Sequence, residues 1–269
     1  MRVLVTGATS LIGRHTVDAL ARHGHEVTTF QRGEGGDIPS IRGSVTDPDA
    51  VGRACVDQDA VIHLAAKVGV TGRWDEYERT NVHGTRLLLD ASARAGVSRF
   101  VHVSSPSVAH AGDALVGAGA DPADPLGTRG HYATSKAMAE ITALEATSPT
   151  MPVVAIRPHL VWGPGDTQLI GRIVERARHG RLALVGSGTA LIDTTYVTNA
   201  ADALVAALDH APDLGGRALI VSNGEPRTVH ELVARITAAA GIDWRPRHVP
   251  IGMAVAGGTV VERVWDRLR

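Results

Sequence analysis

The sequence of 269 residues is 44% hydrophobic and 20% charged, which is ordinary globular composition at a length that suits one large or two small domains. Its formal net charge is −1, and Lys and Arg are spread along the chain, so the composition does not favour a nucleic-acid partner. The one cysteine, Cys55, excludes an internal disulfide and is typical of a reducing compartment. We therefore expect a cytoplasmic protein in which Cys55 is a small buried residue rather than a catalytic thiol.

Neither a targeting segment nor a membrane span is predicted. Residues 2–6 form a strand that leads directly into the first motif, so we expect no signal peptide. The longest apolar run, residues 249–261, has 13 residues, whereas a transmembrane helix needs about 20. For the terminal residues 252–269 we predict a helix that packs on the domain, with a membrane surface or a partner subunit as the alternative.

Apolar runs alternate with helical stretches over the first two-thirds of the chain. The predicted strands are RVLV (2–5), EVTTF (26–30), AVIHLAA (60–66), RFVHVSS (99–105) and PVVAIRP (152–158). The predicted helices follow Gly13, lie near 48–55 and around 79–96, and begin near Tyr132. Repeated strand–helix units predict an α/β fold with a parallel sheet that is covered on both faces.

The remaining sequence predicts a smaller second lobe. Residues 167–186 are typical of a helix and a short strand, 192–211 of a strand leading into a helix, and 224–241 of a helix. We predict a nucleotide-binding domain over 1–165, to which 189–223 returns, and a substrate lobe formed by 166–188 and 224–269. The loop 106–130 is long for a simple connection and rich in Gly, Ala, Pro and Asp, so we predict a lid or substrate-binding loop there.

The stretch TGATSLIG (6–13) lies between the first strand and the first helix. Gly7 permits a tight turn, and Gly13 permits close packing of helix on strand. The free N–H groups at the start of the helix then bind a phosphate. This arrangement predicts a dinucleotide site, although Ser10 occupies the position where the pattern usually has its middle glycine.

The end of the second strand indicates which dinucleotide is bound. A carboxylate there would bind a ribose 2′-hydroxyl, but the chain has Gln31 and Arg32. A guanidinium suits the 2′-phosphate of NADP by charge and by bidentate geometry. We therefore favour NADP(H) as the cofactor. The alternative is that Arg32 is exposed to solvent without contacting the cofactor and that the enzyme uses NAD(H).

Two further stretches carry groups suited to proton transfer. Tyr132 and Lys136 are four residues apart on a predicted helix and share one face, where a nearby ammonium is expected to lower the phenol pKa. Ser105 is the second of the paired serines that end the predicted strand 99–105, at the sheet edge where ligands of such folds bind. Its hydroxyl is suited to hold a substrate carbonyl. Taken singly, Tyr132 and Lys136 are more simply interpreted as a surface pair, and the paired serines as turn-forming residues.

In combination and in this order, the motifs resemble the extended short-chain dehydrogenase/reductase family over nearly the whole chain. The matching stretches are TGATSLIG, VIHLAA, NVHGT, VSSPSV, YATSK and RPHLVWGPGD. The resemblance implies a Rossmann-type doubly wound parallel sheet with a small C-terminal substrate lobe. It implies Tyr132 as the catalytic acid, Ser105 as the carbonyl-binding serine, and Lys136 as the residue that holds the nicotinamide ribose and lowers the tyrosine pKa.

The resemblance also implies a set of cofactor contacts. These are Gly7, Thr9, Ser10, Leu11, Ile12, Gly13, Arg32, Ser44, Val45, Leu64, Ala65, Ala66, Lys67, Asn81, Tyr132, Lys136, Pro158 and His159. Ser44 departs from the family pattern, which has an Asp against the adenine at this position. A homodimer through helices near 84–95 and 133–146 is a further family expectation.

Within the family, the stretches FQRG, HLAAKVGVTGRWDEYERTNVHGT, SSPSVAHAG and RPHLVWGPGDTQL are similar to the 3β-hydroxysteroid dehydrogenase-like branch and, more narrowly, to reductases of 2-alkyl-3-oxoalkanoates. This implies an NAD(P)H-dependent enzyme that reduces the ketone of a β-keto acid with a long alkyl chain, which the apolar loop 114–120 and the second lobe would cover. A steroid or sterol dehydrogenase and a nucleotide-sugar epimerase or dehydratase are the alternatives among enzymes. A redox-sensing regulator that binds NADPH without chemistry is the alternative outside them.

No metal site is predicted. His63, His102 and His159 lie in or beside predicted strands, and no set of His, Cys and carboxylate residues has metal-ligand spacing.

Overall fold

The computed structural model describes residues 1–33, 38–69, 71–110 and 116–253, and divides the chain into two units. The first unit is Met1–Val161 with Thr195–Ser222, and the second is Trp162–Thr194 with Asn223–Arg269. The predicted terminal helix 252–269 lies, apart from its first two residues, outside the described residues. Within the described ranges, no helix combines the length and the apolar character that crossing a membrane requires.

The strands of the described residues follow the β-branched runs. In chain order they are β1 (Arg2–Thr6), β2 (Glu26–Gln31), β3 (Ser40–Arg42), β4 (Ala60–His63), β5 (Arg99–Val103), β6 (Val153–Pro158), β7 (Leu160–Trp162), β8 (Ala183–Val185), β9 (Leu191–Ile192), β10 (Thr194–Tyr196), β11 (Ala218–Val221), β12 (Arg227–Thr228) and β13 (Arg247–Val249).

The helices of the same ranges connect these strands. They are α1 (Leu11–Arg22), α2 (Pro48–Cys55), α3 (Trp74–Tyr77), α4 (Gly84–Arg94), α5 (His131–Glu145), α6 (Ile170–Arg178), α7 (Val197–Asp209), α8 (Ala211–Leu214) and α9 (Val229–Ala239). A π-helix, Glu78–His83, joins α3 to α4, and a 3₁₀ turn, Pro106–Ala109, follows β5.

The first unit is built on a seven-stranded sheet with the order β11-β6-β5-β4-β1-β2-β3, in which all pairs are parallel. The predicted Rossmann-type doubly wound sheet is therefore confirmed. The order reverses beside β1, and ligands of such sheets bind at the carboxyl ends of the strands near that reversal. In the second unit, β9 pairs with β12 and β8 with β13.

Alternating side chains of each strand supply the two apolar layers of the first unit. Val3 and Val5 pack on one face with Leu20 of α1 and Leu204 of α7. Leu4, between the two valines, packs on the opposite face with residues of α2 and α4. Because side chains of a strand point to opposite faces in turn, a sheet covered on both sides needs the continuous apolar runs that the sequence shows.

Two strands of the seven-stranded sheet, β3 and β11, and the π-helix are absent from the sequence prediction. β3 has only three residues, and β11 (ALIV) becomes a strand by pairing with β6 at the edge of the sheet. The predicted strand 60–66 ends at His63, since Leu64–Ala66 form the loop that faces the glycine motif.

A buried histidine ties β1, β4 and α4 together at the carboxyl edge of the sheet. Thr85 Oγ1 donates to Asn81 O at 2.6 Å, so it accepts from His63 Nε2 at 2.9 Å. The proton of the neutral ring therefore lies on Nε2, and Nδ1 accepts from Thr6 Oγ1 at 2.7 Å. Thr6 Oγ1 in turn accepts from Ala65 N at 3.1 Å. Each polar atom in this chain of hydrogen bonds has a partner.

This burial has a measurable consequence for acid stability. Burial lowers the pKa of His63 from 6.5 to about 3, so between these values the unfolded chain binds a proton that the native chain does not. The contribution of the neutral His63 ring to the free energy of unfolding is therefore complete above pH 6.5 and is lost as the pH falls toward 3. We expect the free energy of unfolding, measured by denaturant titration, to fall below pH 6.5 by up to about 1.4 kcal/mol per pH unit for this ring.

The variant His63→Gln is expected to remove this ring's share of the slope. A free energy of unfolding that is flat between pH 6.5 and pH 5 in the parent chain would contradict the buried, neutral state of His63.

Candidate active site

The loop between β1 and α1 has the shape of a phosphate cradle. Gly7 has φ +71°, and a Cβ atom there would come within 2.8 Å of Ala65 N. A Cβ atom at Gly13 would collide with Gly7 O. The first and last glycines of the motif are thus required by close approach of backbone to backbone, and the N-terminus of α1 is left open toward an anion.

Ser10 has a definite function at the position where the motif usually has glycine. Its backbone is extended, with φ −70° and ψ 165°, a conformation that any residue adopts. It is the N-cap of α1, and its Oγ accepts from Gly13 N at 3.0 Å. Ser is among the strongest N-cap residues, so the substitution stabilises the start of the helix without closing the cradle.

A cavity of about 680 Å³ opens from this loop. Its lining includes ten residues that the sequence predicts: Gly7, Thr9, Ser10, Arg32, Ser44, Val45, Leu64, Ala65, Ala66 and Lys67. It also includes residues that the sequence does not single out as contacts: Phe30, Gln31, Gly33, Gly43, Thr46, Val68, Glu76, Arg79 and Thr80.

The other predicted contacts do not line this cavity. Leu11, Ile12 and Gly13 form the first turn of α1, and Asn81 lies in the π-helix. Pro158 ends β6, and His159 follows it and donates its backbone N–H to Val221 O at 2.8 Å. Ser105, Tyr132 and Lys136 lie beyond β5 and on α5.

The end of the cavity at β2 carries positive charge. Arg32 follows β2 directly, and Arg42 of β3 donates from Nε to Arg32 O at 3.1 Å, which brings a second arginine side chain to this position. The lining carboxylate Glu76 is 2.9 Å from Lys67 Nζ and is already paired. This end of the cavity therefore suits an anionic group.

Ser105 and Tyr132 meet at the carboxyl end of β5. Ser105 is the N-cap of the 3₁₀ turn and accepts from Ser107 N at 3.3 Å, which fixes the hydroxyl at the strand end. Burial raises the pKa of Tyr132, and the nearby Ser105 hydroxyl lowers it in part. The phenol is therefore protonated at neutral pH.

Lys136 is buried one turn after Tyr132. Its Nζ donates to Val103 O at 2.7 Å and lies 3.4 Å from His102 Nε2. Burial lowers the pKa of Lys136 to about 8, and the Glu140 carboxylate raises it in part. Burial dominates the raised pKa of Tyr132, and the Lys136 ammonium is directed to the end of β5, so that a lowering of the phenol pKa by Lys136 stays a prediction.

Asn81 connects the loop after β4 to the first turn of α5. Its Oδ1 accepts from Lys67 N at 2.7 Å, and its Nδ2 donates to Lys67 O at 3.0 Å and to Ser135 Oγ at 2.9 Å. Ser135 Oγ then donates to Tyr132 O at 2.9 Å. The π-helix, a form often found at functional sites, supplies Asn81 to this network.

An ion pair missed by the sequence prediction attaches α5 to the sheet. Arg157 of β6 and Glu140 of α5 form a bidentate pair, and both side chains are 1% exposed. Glu140 lies one turn after Lys136, so the pair fixes the helix that carries both Tyr132 and Lys136. A lone Arg and Glu, 17 positions apart, carry no local signal that would predict it.

The structure describes only part of the predicted lid, 106–130. Residues 111–115 lie outside the described residues, so the predicted apolar cover 114–120 is described from Val116 onward. Val116 is 78% exposed and Leu126 is 97% exposed. Among the described residues, no cluster of three or more His, Cys, Asp or Glu side chains has the arrangement of a metal site.

The cradle's close contacts predict the effect of adding a single methyl group. Gly13→Ala forces a Cβ atom against the immobile Gly7 carbonyl, and we expect a loss of at least about 2 kcal/mol in the free energy of unfolding. Gly52 is the matched control, because it lies inside α2 with open space around its Cα. Gly52→Ala is expected to stabilise the protein by about 0.4–1 kcal/mol. Equal effects of the two substitutions in denaturant titrations would contradict the close packing at Gly13.

Comparisons with known proteins agree with this geometry. A model of the NAD dependent epimerase/dehydratase family matches residues 3–221. The 2-alkyl-3-oxoalkanoate reductase of Stenotrophomonas maltophilia is 40% identical over 280 residues, which cover 100% of this chain and 84% of the relative. The 3 beta-hydroxysteroid dehydrogenase/Delta 5→4-isomerase of Mycobacterium tuberculosis is 33% identical over 288 residues, which cover 99% of this chain and 76% of the relative.

A solved structure of MoeE5 in complex with UDP-glucose and NAD shares the fold, with a TM-score of 0.79 and 31% identity over 93% of this chain and 85% of that chain. Together with the glycine cradle and the helix that carries Tyr132 and Lys136, these matches show that the chain belongs to the NAD-dependent epimerase/dehydratase family and is a nicotinamide-dependent oxidoreductase that acts on CH–OH groups.

Proposed function

We propose that this enzyme is an NADPH-dependent reductase that converts a 2-alkyl-3-oxoalkanoate, a β-keto acid with a long alkyl chain, to the β-hydroxy acid. The observation that carries the proposal is the position of Ser105 at the carboxyl end of β5, where Lys136 of α5, the helix that also carries Tyr132, donates to Val103 O at 2.7 Å. The 40% identity to a 2-alkyl-3-oxoalkanoate reductase over the whole chain supports the substrate class.

The cofactor is held by the cradle and the cavity that opens from it. The backbone N–H groups after Gly7 and the Ser10-capped start of α1 bind the pyrophosphate, and Arg32 binds the 2′-phosphate. Ser44 and Val45 line the part of the cavity assigned to the adenine, and Ala65 and Ala66 line its continuation. When bound, reduced nicotinamide supplies a hydride to the ketone carbon.

The side chains of α5 and of the β5 end complete the reduction. Ser105 donates a hydrogen bond to the ketone oxygen, and Tyr132 transfers its phenolic proton to that oxygen as the negative charge develops. One hydride and one proton convert the ketone to the secondary alcohol, and Tyr132 regains its proton from solvent. A reduction needs a proton donor, and a phenol is in that state at neutral pH, because its ordinary pKa is near 10 and burial raises it further.

Exposed apolar side chains support a substrate with an alkyl chain. The exposed fraction is 55% for Val68, which lines the cavity, 78% for Val116 and 97% for Leu126. Contacts of the alkyl chain with the loop 114–120 and with the predicted lobe of 166–188 and 224–269 are part of the proposal. The described residues of these segments are 116–120, 166–188 and 224–253.

A cytoplasmic homodimer completes the proposal. Cys55 is a free, buried thiol, as expected in a reducing compartment. Leu87 of α4 and Ile141 and Leu144 of α5 are only partly buried within the chain, and these helices are the predicted subunit interface.

The role of Tyr132 is tested by removing one oxygen atom. We expect Tyr132→Phe to bind NADPH within about threefold of the parent and to reduce 2-alkyl-3-oxo acids at least about a hundredfold more slowly, since general acid catalysis contributes about 10²–10⁴-fold. Binding is measured by nicotinamide fluorescence, and turnover by the absorbance of reduced nicotinamide.

The same assay separates the alternatives. Two further substrate classes are run beside the β-keto acids: steroids, with NAD as the cofactor, and UDP-sugars. One relative is named as a steroid dehydrogenase and is 33% identical to this chain, and another was solved with UDP-glucose and is 31% identical. Turnover of UDP-glucose without consumption of added NADPH, or wild-type ketone reduction by Tyr132→Phe, would contradict the proposed reaction.

Cofactor choice is tested at Arg32. A charge-assisted hydrogen bond contributes about 1.5–3 kcal/mol, so Arg32→Ala is expected to weaken NADPH binding about 10–100-fold and to leave NADH binding within about threefold. Arg53→Ala, an exposed arginine of α2 that does not line the cavity, is the control and is expected to change neither affinity. An equal loss for the two cofactors would contradict a 2′-phosphate contact.

A further inference from the structure

His102 lies between two strands and the helix that carries Lys136. Its side chain is completely buried, and its Nε2 is 3.4 Å from Lys136 Nζ. The carbonyl of the next residue, Val103, accepts from the same Nζ at 2.7 Å. Consecutive residues of β5 thus supply two partners to one ammonium group, one through a side chain and one through the backbone.

The contact determines the tautomer of the ring. An ammonium has only hydrogens to offer, so Nε2 accepts, and the proton of the neutral imidazole lies on Nδ1. Burial and the nearby ammonium hold the pKa of His102 well below 6.5, so the ring is neutral at physiological pH. His63, whose ring lies 5.6 Å away, has the opposite tautomer, because its Nε2 donates to Thr85.

The two histidines differ in what their second nitrogen does. Both ring nitrogens of His63 are hydrogen-bonded, whereas His102 Nδ1 has no hydrogen-bond partner among the described residues. Packing alone would favour an apolar side chain at this position, since an unpaired buried polar atom is unfavourable. The contact with Lys136 is therefore the polar interaction that accounts for a histidine at this buried position.

We propose that His102 is a positioning residue that fixes the Lys136 ammonium through Nε2, so that two of its three N–H bonds are held by β5 and the third is available to a ligand. This rests on the proposed function and on the role that the family resemblance implies for Lys136, which is to hold the nicotinamide ribose. The other titratable groups around Lys136 are Tyr132 and the Glu140 carboxylate on α5, the latter paired with Arg157, and neutral His63 on β4.

The sequence allows a direct test, because it contains only two lysines, Lys67 and Lys136. In protein labelled with ¹³C and ¹⁵N at lysine, each side chain gives one set of NMR signals, and Lys67, paired with Glu76, is an internal reference. A hydrogen bond to the charged form favours that form, so removing the acceptor lowers the lysine pKa. We expect His102→Leu to shift the Lys136 midpoint, about 8 in the parent, downward by at least about half a pH unit and to leave Lys67 unchanged.

His102→Gln restores an acceptor close to the position of Nε2 and is expected to return the midpoint toward that of the parent. Phe100→Leu, on the same face of β5 and in contact with His63 rather than Lys136, is the packing control and is expected to leave the midpoint unchanged. An unchanged Lys136 midpoint in folded His102→Leu, or the same shift in Phe100→Leu, would overturn the proposal.

A measurement on the unsubstituted protein keeps the test independent of variant folding. The ¹⁵N shifts of His102 are expected to report a protonated Nδ1 and an accepting Nε2, and a protonated Nε2 would overturn the proposal.

In the NADPH assay, His102→Leu is expected to reduce kcat at least about tenfold at pH 8 and to move the alkaline limb of the rate profile to lower pH, while His102→Gln restores both. Absence of ketone reduction in the parent would contradict the proposed function and leave the two NMR tests standing.

Discussion

The constraint on which the site depends is a buried positive charge. Lys136 is 3% exposed on a helix packed against a seven-stranded sheet, and moving an ammonium from water to such a place is costly unless polar groups replace the water. The Val103 carbonyl, the His102 imidazole and, one turn further along the helix, the Glu140 carboxylate provide that replacement. Because Glu140 is itself bonded to buried Arg157 on β6, one electrostatic chain extends from the sheet to the ammonium.

The polar network around Asn81 extends this constraint to the tyrosine and to the cofactor cavity. Asn81 holds the backbone of Lys67, which lines the cavity, and through Ser135 it holds the carbonyl of Tyr132. Thr85, one turn after Asn81, joins His63 and thereby Thr6, the residue before the first glycine of the cradle. The cradle, the cavity wall and α5 are therefore set relative to one another by hydrogen bonds between buried groups, in which each loss leaves an unpaired partner.

The parts of the fold that the sequence predicts are those with a local cause. Gly7 and Gly13 follow from the backbone contacts that their motif requires, and the strands of the sheet centre follow from apolar runs buried on both faces. β11 escapes prediction because ALIV becomes a strand only by pairing with β6, far away in the sequence. Ser10 is read as a departure from the motif, whereas it is the N-cap, a function that depends on the helix starting at Leu11 rather than after Gly13.

Within the site, residue types are predictable and their electrostatics are not. Tyr132, Lys136 and Ser105 are identified from spacing and resemblance, and the structure brings Ser105 to Tyr132. The direction of the phenol pKa depends on how deeply α5 is buried, which four-residue spacing does not reveal. The contacts of His102 and of the Arg157–Glu140 pair are equally long-range, since they depend on which strands lie beneath the helix.

The central claim is that hydride from NADPH and a proton from Tyr132 reduce the ketone of a 2-alkyl-3-oxo acid. The most direct measurement is isotope transfer: the enzyme is incubated with NADPH deuterated at the reactive carbon and a 2-alkyl-3-oxo acid, and the product is analysed by mass spectrometry and NMR. The proposed reaction predicts one deuterium on the carbon that carried the ketone and none at the oxygen-bound or neighbouring positions. A hydroxy acid without deuterium at that carbon, or no hydroxy acid in a sample that converts UDP-glucose, would contradict it.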